Sequence, residues 1–384
     1  MQPFVHLHVH TQYSILDGQA SISKLVSKAV KDGMHGMAVT DHGNMMGIKE
    51  FFDVASRTRS NGKKALAEAE ARLSALNADS GAAASTDEIA AINKEIEQAR
   101  LQANFMPIFG CEMYVARRSL HDKSEKTDMS GNHLVVLAKN EVGYHNLVKL
   151  VSKAWVDGFY MKPRTDHEEL EKYAEGLIVC SACLAGEVPR KVAAGDISGA
   201  EESILWFKRV FGEDYYLELQ RHRVTNPSIH ANRECYEIQE RINPVLIELA
   251  HKHGVKLVCT NDVHFVDEEN AEAHDRLICL STGKDLDDPN RMVYTKQEWF
   301  KTQREMNTIF SDVPEALEGT MDVLSKVSFY SINHAPIMPN FPIPEDFGTE
   351  DSYRQKFSEE DLFNEFTQDE NGKWSLAARK VKRK

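Results

Sequence analysis

Short apolar runs with the composition of buried β-strands recur along this chain, and amphipathic helical stretches separate most of them. The later strand runs are residues 106–115, 133–137, 177–180, 215–219 and 255–259, and the helical stretches lie around 143–155, 186–210 and 231–253. Residues 1–58 show the order strand, helix, strand, helix. Because parallel strands need a crossover connection, usually a helix, this alternation favours parallel β/α units. The pattern predicts an α/β fold, either a barrel or a doubly wound sheet.

Two regions depart from this rhythm, namely residues 60–104 and the part after residue 285. Apolar residues at helical spacing flank a polar, Ala/Ser-rich segment within 60–104, and Ser85-x-x-Glu88 has the pattern of a capping box. We interpret 60–104 as a helical hairpin inserted into a first domain, residues 1–285, without catalytic residue types. A surface insertion explains it better than a docking site. Residues 286–345 are interpreted as the start of a second domain, and residues 346–384 as an acidic to basic, poorly ordered tail.

Composition and charge limit the class of protein. The formal net charge of −13 argues against a broad basic surface for gripping nucleic acid. A local basic track is still compatible with it, and the candidate pairs each follow a predicted strand. They are Arg117-Arg118, Lys162 with Arg164, and Arg221 with Arg223 around His222. These residues are candidates to hold phosphates, and ordinary surface charge explains each pair about equally well.

The chain has features of a cytoplasmic protein with reduced thiols. No apolar run approaches the length of a membrane span, and the first residues lack a signal-peptide core. Six cysteines in 384 residues are too few for a disulfide framework. Cys180-x-x-Cys183 has no second pair and follows an apolar strand. This favours one metal ligand and one core thiol over a redox motif or half of a zinc ribbon.

Residue types that ligate metals stand at the ends of most of these strand runs. His8 and His10 project to the same face, because strand side chains alternate, and neutral imidazole is the commonest protein metal ligand. The other candidates are Asp17, His42, Glu112, His133, Cys183, Asp262 and His264. Each alone has an ordinary explanation, such as a helix cap, a core histidine or an inert thiol. Nine together predict a metal centre where parallel strands converge at one end of a barrel.

These motifs resemble a known family. The set His8-Val-His10, Asp17-Gly18, Thr40-Asp-His-Gly-Asn44, Gly110-Cys-Glu112, His133-Leu134, Ser181-Ala-Cys183-Leu184 and Asn261-Asp-Val-His264 resembles the PHP (polymerase and histidinol phosphatase) domain. Further phrases are similar to the N-terminal region of the C-family replicative polymerases of bacteria, the DNA polymerase III alpha subunits. They are Asn44-Met-Met-Gly47, Gly158-Phe-Tyr-Met-Lys-Pro-Arg164, Cys183-Leu-Ala-Gly-Glu187, Glu218-Leu-Gln-Arg-His222 and Leu286-Asp-Asp-Pro-Asn-Arg291. The resemblance covers residues 1 to about 345, interrupted at 60–104.

The resemblance implies a distorted seven-stranded β/α, TIM-like barrel that holds two to three divalent metal ions at one end. Matched by motif, His8, His10, Glu112 and Asp262 would hold one metal. Glu112 would bridge to a second metal held with His133 and Cys183. Asp17, His42 and His264 would hold a third, and Glu112, Asp262 and His264 are the implied catalytic residues. This mixture of donors suits Zn, Mn or Fe better than Mg, which prefers oxygen ligands.

The resemblance also implies hydrolysis of phosphoesters, and in polymerases a 3′–5′ exonuclease for proofreading, with a DNA 3′ end as substrate and other replisome subunits as partners. The family's polymerase palm carries a Pro-Asp-x-Asp type motif, and nothing here matches it. We therefore expect a truncation that does not polymerise DNA. Two alternatives stay open, a non-catalytic metal-binding module and a stand-alone phosphatase of the histidinol phosphatase type. His222 is a candidate proton donor to the leaving oxygen, with a structural role equally plausible.

Overall fold

A computed structural model of the chain describes residues 1–78, 86–339 and 344–367. The chain divides into two compact units, Met1–Ile332 and Asn333–Lys384. A curled seven-stranded sheet forms the centre of the first unit, and helices pack against it. The strands are β1 (Gly36–Val39), β2 (Met106–Val115), β3 (Asn132–Ala138), β4 (Arg164–Thr165), β5 (Leu177–Cys180), β6 (Tyr215–Leu219) and β7 (Lys256–Cys259).

The strand order is β1-β2-β3-β5-β6-β7, with β4 paired beside β2. All pairings are parallel except those of β3, which runs antiparallel to both β2 and β5. The expectation of ligands on parallel strands alone was therefore wrong for His133. Because β3 is reversed, its amino end lies at the edge where the other strands end. His133, near the start of β3, thus reaches the same edge as residues that follow parallel strands.

The first ten residues connect the two ends of this sheet. On one side the amides of Ala38 and Thr40 donate to the carbonyls of His6 and Val9, both at 2.8 Å. On the other side the amide of His10 donates to the carbonyl of Val263 at 2.7 Å, and the Val263 amide donates to the His8 carbonyl at 3.1 Å. The N-terminal segment thereby lies between β1 and the residues after β7. The predicted α/β fold is confirmed, with a strongly curled, half-barrel sheet.

The helices of the first unit follow the predicted amphipathic stretches, with differences at their ends. They are α1 (Ile22–Lys31), α2 (Ile48–Ala78), α3 (Thr86–Asn104), α4 (Glu141–Val156), α5 (His167–Lys172), α6 (Glu187–Ala193), α7 (Ile197–Phe211), α8 (Glu234–His253), α9 (Ala271–Thr282), α10 (Gln303–Ile309) and α11 (Pro314–Lys326). The predicted stretch 186–210 is two helices, because Gly195, with φ of +80°, ends the first of them. Short 3-10 helices are Lys126–Met129, Gly212–Asp214 and Glu268–Asn270.

The segment 60–104 forms two packed helices that continue from the barrel. α2 is one helix of 31 residues, whose first turns pack in the main core and whose second half pairs with α3. Ala69, Ile92 and Ile96 form a separate small core between them, covered by Leu66, Leu73 and Leu76. Ser85 of the predicted capping box lies outside the described residues.

The first unit extends to Ile332, beyond residue 285, because α11 packs on β7. A side chain on Gly319 of α11 would meet the backbone carbonyl of Leu257 at 1.8 Å, which shows how closely the two elements approach. The second unit contains α12 (Glu350–Lys356), α13 (Glu359–Thr367) and the 3-10 helix Glu345–Phe347. Residues 368–384 of the predicted tail lie outside the described part of the chain. The family resemblance implies that residues 286–345 begin the polymerase palm region, and this assignment stays a prediction.

Candidate metal centre

All nine predicted ligands lie at one edge of the sheet, within a few ångströms of one another. His8 and His10 come from the N-terminal segment, Asp17 from the following loop, His42 from the turn after β1, Glu112 from β2, His133 from β3, Cys183 from the loop after β5, and Asp262 and His264 from the segment after β7. Three groups have their ligand atoms within 4.8 Å of one another. We describe these groups in turn.

The first group contains His8, His10 and Asp262. Asp262 Oδ1 lies 3.3 Å from His8 Nε2 and 3.1 Å from His10 Nε2. All three atoms are buried, and none has a hydrogen-bond partner. A tetrahedral shell with bonds of about 2.05 Å separates its ligand atoms by about 3.3 Å, so these atoms have the spacing of a zinc-sized site. Buried polar atoms without partners are rare, which makes a cation the simplest partner for them.

The second group contains Glu112, His133 and Cys183. His133 Nδ1 lies 2.7 Å from Glu112 Oε1, and Cys183 Sγ lies 3.6 Å from His133 Nδ1 and 3.9 Å from Glu112 Oε1. The same Glu112 oxygen is 3.3 Å from His8 Nε2 of the first group. Glu112 therefore stands between the two groups, where the resemblance placed a bridging carboxylate.

The third group contains His10, His42 and His264. The rings of His10 and His42 stack with centroids 3.9 Å apart, and His264 Nε2 is buried without a hydrogen-bond partner. Asp17 Oδ2 lies 3.2 Å from His42 Nε2 and accepts a hydrogen bond from the Tyr294 hydroxyl, also at 3.2 Å. His10 thus lies near both the first and the third group. The assignment of individual ligands to individual metals stays a prediction.

Electrostatics at this edge favour binding of a cation. Burial acts to raise the pKa of Glu112 and Asp262, but the surrounding histidines outweigh it and hold both pKa values well below the usual range. Burial, together with the charges of His42 and His264, lowers the pKa of His10 to about 3. Burial and nearby carboxylates raise the pKa of the Cys183 thiol. The neighbouring carboxylates raise the pKa of His8 and His42 well above the usual value against the effect of burial. The site therefore combines ionised carboxylates with one neutral imidazole, and a cation would have to displace protons from those two histidines and from the thiol.

Sequence reasoning missed Glu218, which orients a ligand. Glu218 is buried in β6, and its Oε1 lies 2.7 Å from His8 Nδ1. Gln220 donates to the same oxygen at 3.1 Å, and the Thr260 hydroxyl donates to it as well. A carboxylate on the second nitrogen fixes the tautomer and orientation of a ligating histidine. Its sequence signal is a glutamate within an apolar strand run, in Tyr-Tyr-Leu-Glu-Leu.

Comparison with known proteins identifies the family. The PHP domain family matches residues 6–222, more than half of the chain. The chain belongs to the PHP domain family. It is homologous to the N-terminal region of DNA polymerase III alpha subunits, and the subunits of Borreliella burgdorferi and Treponema pallidum are 37% and 35% identical over 94% of this chain. That of Campylobacter jejuni is 32% identical over 90%. The chain spans about a quarter of the length of these relatives, 27%, 26% and 25%.

Unusual backbone conformations accompany two candidate ligands of this PHP domain. Asp262 has φ of +46°, and Ala182, directly before Cys183, has φ of +63°. Residues other than glycine rarely adopt the left-handed region, and such strain concentrates at functional sites. Backbone hydrogen bonds of the neighbouring residues hold both in this conformation. The Val263 amide donates to the His8 carbonyl of the N-terminal segment, and the Ser181 amide donates to the Tyr216 carbonyl at 3.1 Å.

A cavity of about 280 Å³ opens onto the metal centre of the PHP domain. Glu112, His133, Cys183 and Asp262 line it on one side, and the segment around Tyr294 lines it on the other. The candidate ligands are therefore reachable by a molecule that enters this cavity.

Among the described residues, no helix is both long enough and apolar enough to cross a membrane.

Four of the residues predicted to bind phosphate, Lys162, Arg164, Arg221 and His222, lie in different surroundings. Lys162 Nζ lies 5.3 Å over the ring of Tyr114, which itself contacts the rings of His42 and His133. Arg164 is fully buried and donates to the carbonyls of Gly158 and Leu120, so it has no access to a phosphate.

The other two members of the predicted track are also engaged. Arg221 donates to the Asp312 carboxylate and to the Ile309 carbonyl. His222 is buried but lines the cavity, with its Nε2 3.1 Å from the Asn261 carbonyl and its Nδ1 3.2 Å from Gln239 Nε2. The geometry therefore supports Lys162 and is compatible with His222, whereas Arg164 and Arg221 have structural partners instead.

Proposed function

We propose that this PHP domain is a metal-dependent phosphoesterase with two to three metal ions, and that it removes nucleotides from DNA 3′ ends as a proofreading 3′–5′ exonuclease. The observation that carries this proposal is the convergence of nine metal-ligating side chains with buried, unpartnered atoms on His8, His10, Asp262 and His264. Unpaired buried atoms also occur singly elsewhere in the fold, for example at Tyr215 and Tyr330, whereas these belong to side chains whose ligand atoms lie within 4.8 Å of one another in groups of three. The cavity beside them supplies room for a substrate phosphate.

The donor set of imidazole, carboxylate and thiol fits Zn, Mn or Fe. Such ions activate water and neutralise charge on phosphate oxygens and on the leaving oxygen. The residues of the chain hold and shape the site. Glu112 joins two ligand groups, Glu218 orients His8, and Lys162 supplies a positive charge at the rim near Tyr114. His222 is the candidate to hand a proton to the leaving oxygen.

The proposed substrate is the 3′ end of DNA, and the proposed setting is the cytoplasm, with the remainder of a polymerase III alpha subunit and other replisome subunits as partners. Support comes from relatives that are named DNA polymerase III subunit alpha. The palm motif of the polymerase has no match in this chain, so polymerisation is not part of the proposal. The rival functions are a non-catalytic metal-binding module and a histidinol-phosphatase-like enzyme.

The test is digestion of a 5′-labelled primer with a 3′ mismatch by purified chain supplied with Mn²⁺ or Zn²⁺. We expect stepwise 3′ shortening by the unaltered chain and by Asp53→Asn, an exposed control on α2, and none by Asp262→Asn. Asp262→Asn keeps the side-chain shape but removes the charge between His8 and His10. Undiminished digestion by Asp262→Asn would show that the site is misassigned.

Two other results would favour the rival functions. Absence of digestion by the unaltered chain, with bound metal confirmed by elemental analysis, would indicate a structural module. Turnover of a phosphomonoester far faster than of the primer would indicate a phosphatase of small molecules.

A further inference from the structure

A patch of exposed apolar side chains borders the metal centre on the side of His42. Trp155 at the end of α4 and Phe159 in the following loop are each 45% exposed, and Met46 and Met161 are 59% and 63% exposed. Isolated apolar residues on a surface are ordinary, but contiguous patches mark sites of interaction. The rings of Trp155 and Phe159 stack on each other with centroids 5.5 Å apart and an interplanar angle of 16°.

This aromatic pair is attached directly to the metal centre. The Trp155 indole Nε1 donates to the carbonyl of Gly43 at 2.8 Å, and Gly43 follows the candidate ligand His42. The Gly43 amide in turn donates to the carbonyl of Glu112 at 2.8 Å. A side chain at Gly43 would meet Pro163 at 2.7 Å and Tyr114 at 3.2 Å, so the loop that carries Phe159 packs tightly against the ligand-bearing turn. The pair therefore has a defined position relative to the metals.

Buried Arg164 holds the Phe159 loop in place. Its guanidinium donates to the carbonyls of Gly158 and Leu120 at 3.1 and 3.0 Å, and a side chain at Gly158 would meet the Arg164 carbonyl at 1.8 Å. The Tyr160 amide donates to the Lys162 carbonyl at 3.1 Å, which closes the loop at its tip. The buried guanidinium of Arg164 thus fixes the loop that carries Phe159 before any ligand binds. Binding of a ligand to the exposed rings would therefore cost little conformational entropy of this loop.

A positive charge from the loop that carries Phe159 lies near the candidate metal ligands. Lys162 follows the loop tip, and its ammonium group rests over Tyr114, whose ring centroid is 5.1 Å from that of His133. No carboxylate pairs with Lys162 among the described residues. An anion in the metal centre and a flat apolar group beside it would therefore meet a cation and an aromatic face in succession.

We infer that Trp155 and Phe159 form a stacking platform for nucleobases of single-stranded DNA whose 3′ end enters the metal centre. The inference rests on the proposed function. Metal ions contact the phosphate of the substrate, and the platform would contact its bases. Proteins that bind single strands without sequence preference combine exposed aromatic rings with cations that follow the backbone. The patch offers an aromatic face and a cation, each in contact with residues beside the candidate metal ligands.

The test measures binding of a fluorescent oligothymidylate by anisotropy, with phosphorothioate linkages at its 3′ end to resist hydrolysis. Phe159→Leu keeps an apolar side chain but removes the aromatic face, and we expect it to weaken binding about tenfold. Phe159→Tyr keeps the face and should bind as the unaltered chain does. Leu280→Ala, at an 80% exposed residue of α9, is the control for loss of surface apolar area.

Three results would overturn the inference. The first is equal binding by Phe159→Leu and the unaltered chain. The second is equal losses in Phe159→Leu and Phe159→Tyr, which would show that an aromatic face is not what the oligonucleotide contacts. The third is absence of any binding by the unaltered chain. Hydrolysis of bis(p-nitrophenyl) phosphate by the unaltered chain, a diester without a base, tests the phosphoesterase activity separately. The platform and the activity can therefore fail independently.

Discussion

Replacement of Glu218 by glutamine tests whether the His8 group is a metal site with an oriented ligand. The Glu218 carboxylate is 2% exposed, and its Oε1 takes contacts from His8, Gln220 and Thr260. Glutamine has nearly the same shape, so packing in β6 is preserved. The substitution removes the negative charge that helps to raise the pKa of His8 against the effect of burial, and His8 becomes a weaker ligand.

The expected magnitude follows from the position of this carboxylate. Loss of a partner behind a ligating histidine reduces metal affinity by about 10- to 100-fold, which is about 1.4 to 2.7 kcal/mol. Water cannot replace the lost charge, because Glu218 and His8 are both buried. We therefore expect the upper half of this range, a decrease in affinity of about 30- to 100-fold.

The assay is a competition titration of Zn²⁺ or Mn²⁺ against a chromophoric chelator. Glu187→Gln is the matched control, because Glu187 contacts a histidine at 2.9 Å in the same way, but its partner His167 is not a candidate ligand. The reasoning is refuted if Glu218→Gln binds metal within about threefold of the unaltered chain. It is also refuted if Glu187→Gln loses as much affinity as Glu218→Gln.

Three further results are expected. Chelation should lower the thermal midpoint in scanning calorimetry, because a ligand at a thousand times its dissociation constant stabilises the fold by about 4 kcal/mol; an unchanged midpoint would argue against bound metal. Ile92→Ala should cost about 2 to 4 kcal/mol within the α2/α3 pair. Hydrogen exchange should then show faster exchange in that pair and unchanged protection in the barrel strands. Lys301→Met should raise the free energy of unfolding measured with urea at pH 7 but not near pH 10.5, since burial lowers the pKa of Lys301 from 10.5 to about 7. As the pH falls through this window the unfolded chain gains a proton first, which disfavours the native lysine by up to about 1.4 kcal/mol per pH unit. Lys301 donates to the Gln297 carbonyl, and this carbonyl still accepts a hydrogen bond from Asn261 when Lys301 is replaced.

The composition of the strands and of their ends was readable in the sequence for a physical reason. Buried strands need runs of apolar and β-branched residues, and metal ligation needs a small set of donor types, so both leave local marks. All of β2, β3, β5, β6 and β7 begin and end within a residue of the predicted runs. The fold followed from their alternation with helices.

Strand direction and side-chain partners left no such local mark. Nothing in His133-Leu-Val-Val-Leu137 shows that β3 runs antiparallel, because a run of apolar residues has the same composition in either direction. Arginine is a residue type typical of phosphate sites, which made Arg164 and Arg221 candidates. Their guanidinium groups instead donate to Gly158, Leu120 and Asp312, and only tertiary packing determines these acceptors. Glu218 was missed because its role depends on contact with His8, 210 residues away along the chain.

The N-terminal segment has a consequence for the order of events during synthesis. His8 and His10 leave the ribosome first, yet their neighbours in the barrel, Asp262 and Val263, come more than 250 residues later. A contact of such sequence separation forms late, because the loop-closure entropy must be met before the contact can stabilise anything. The His8 group therefore has no complete set of ligands until Asp262 has been added to the nascent chain. A metal bound at this group would therefore report that the N-terminal segment has met the residues after β7.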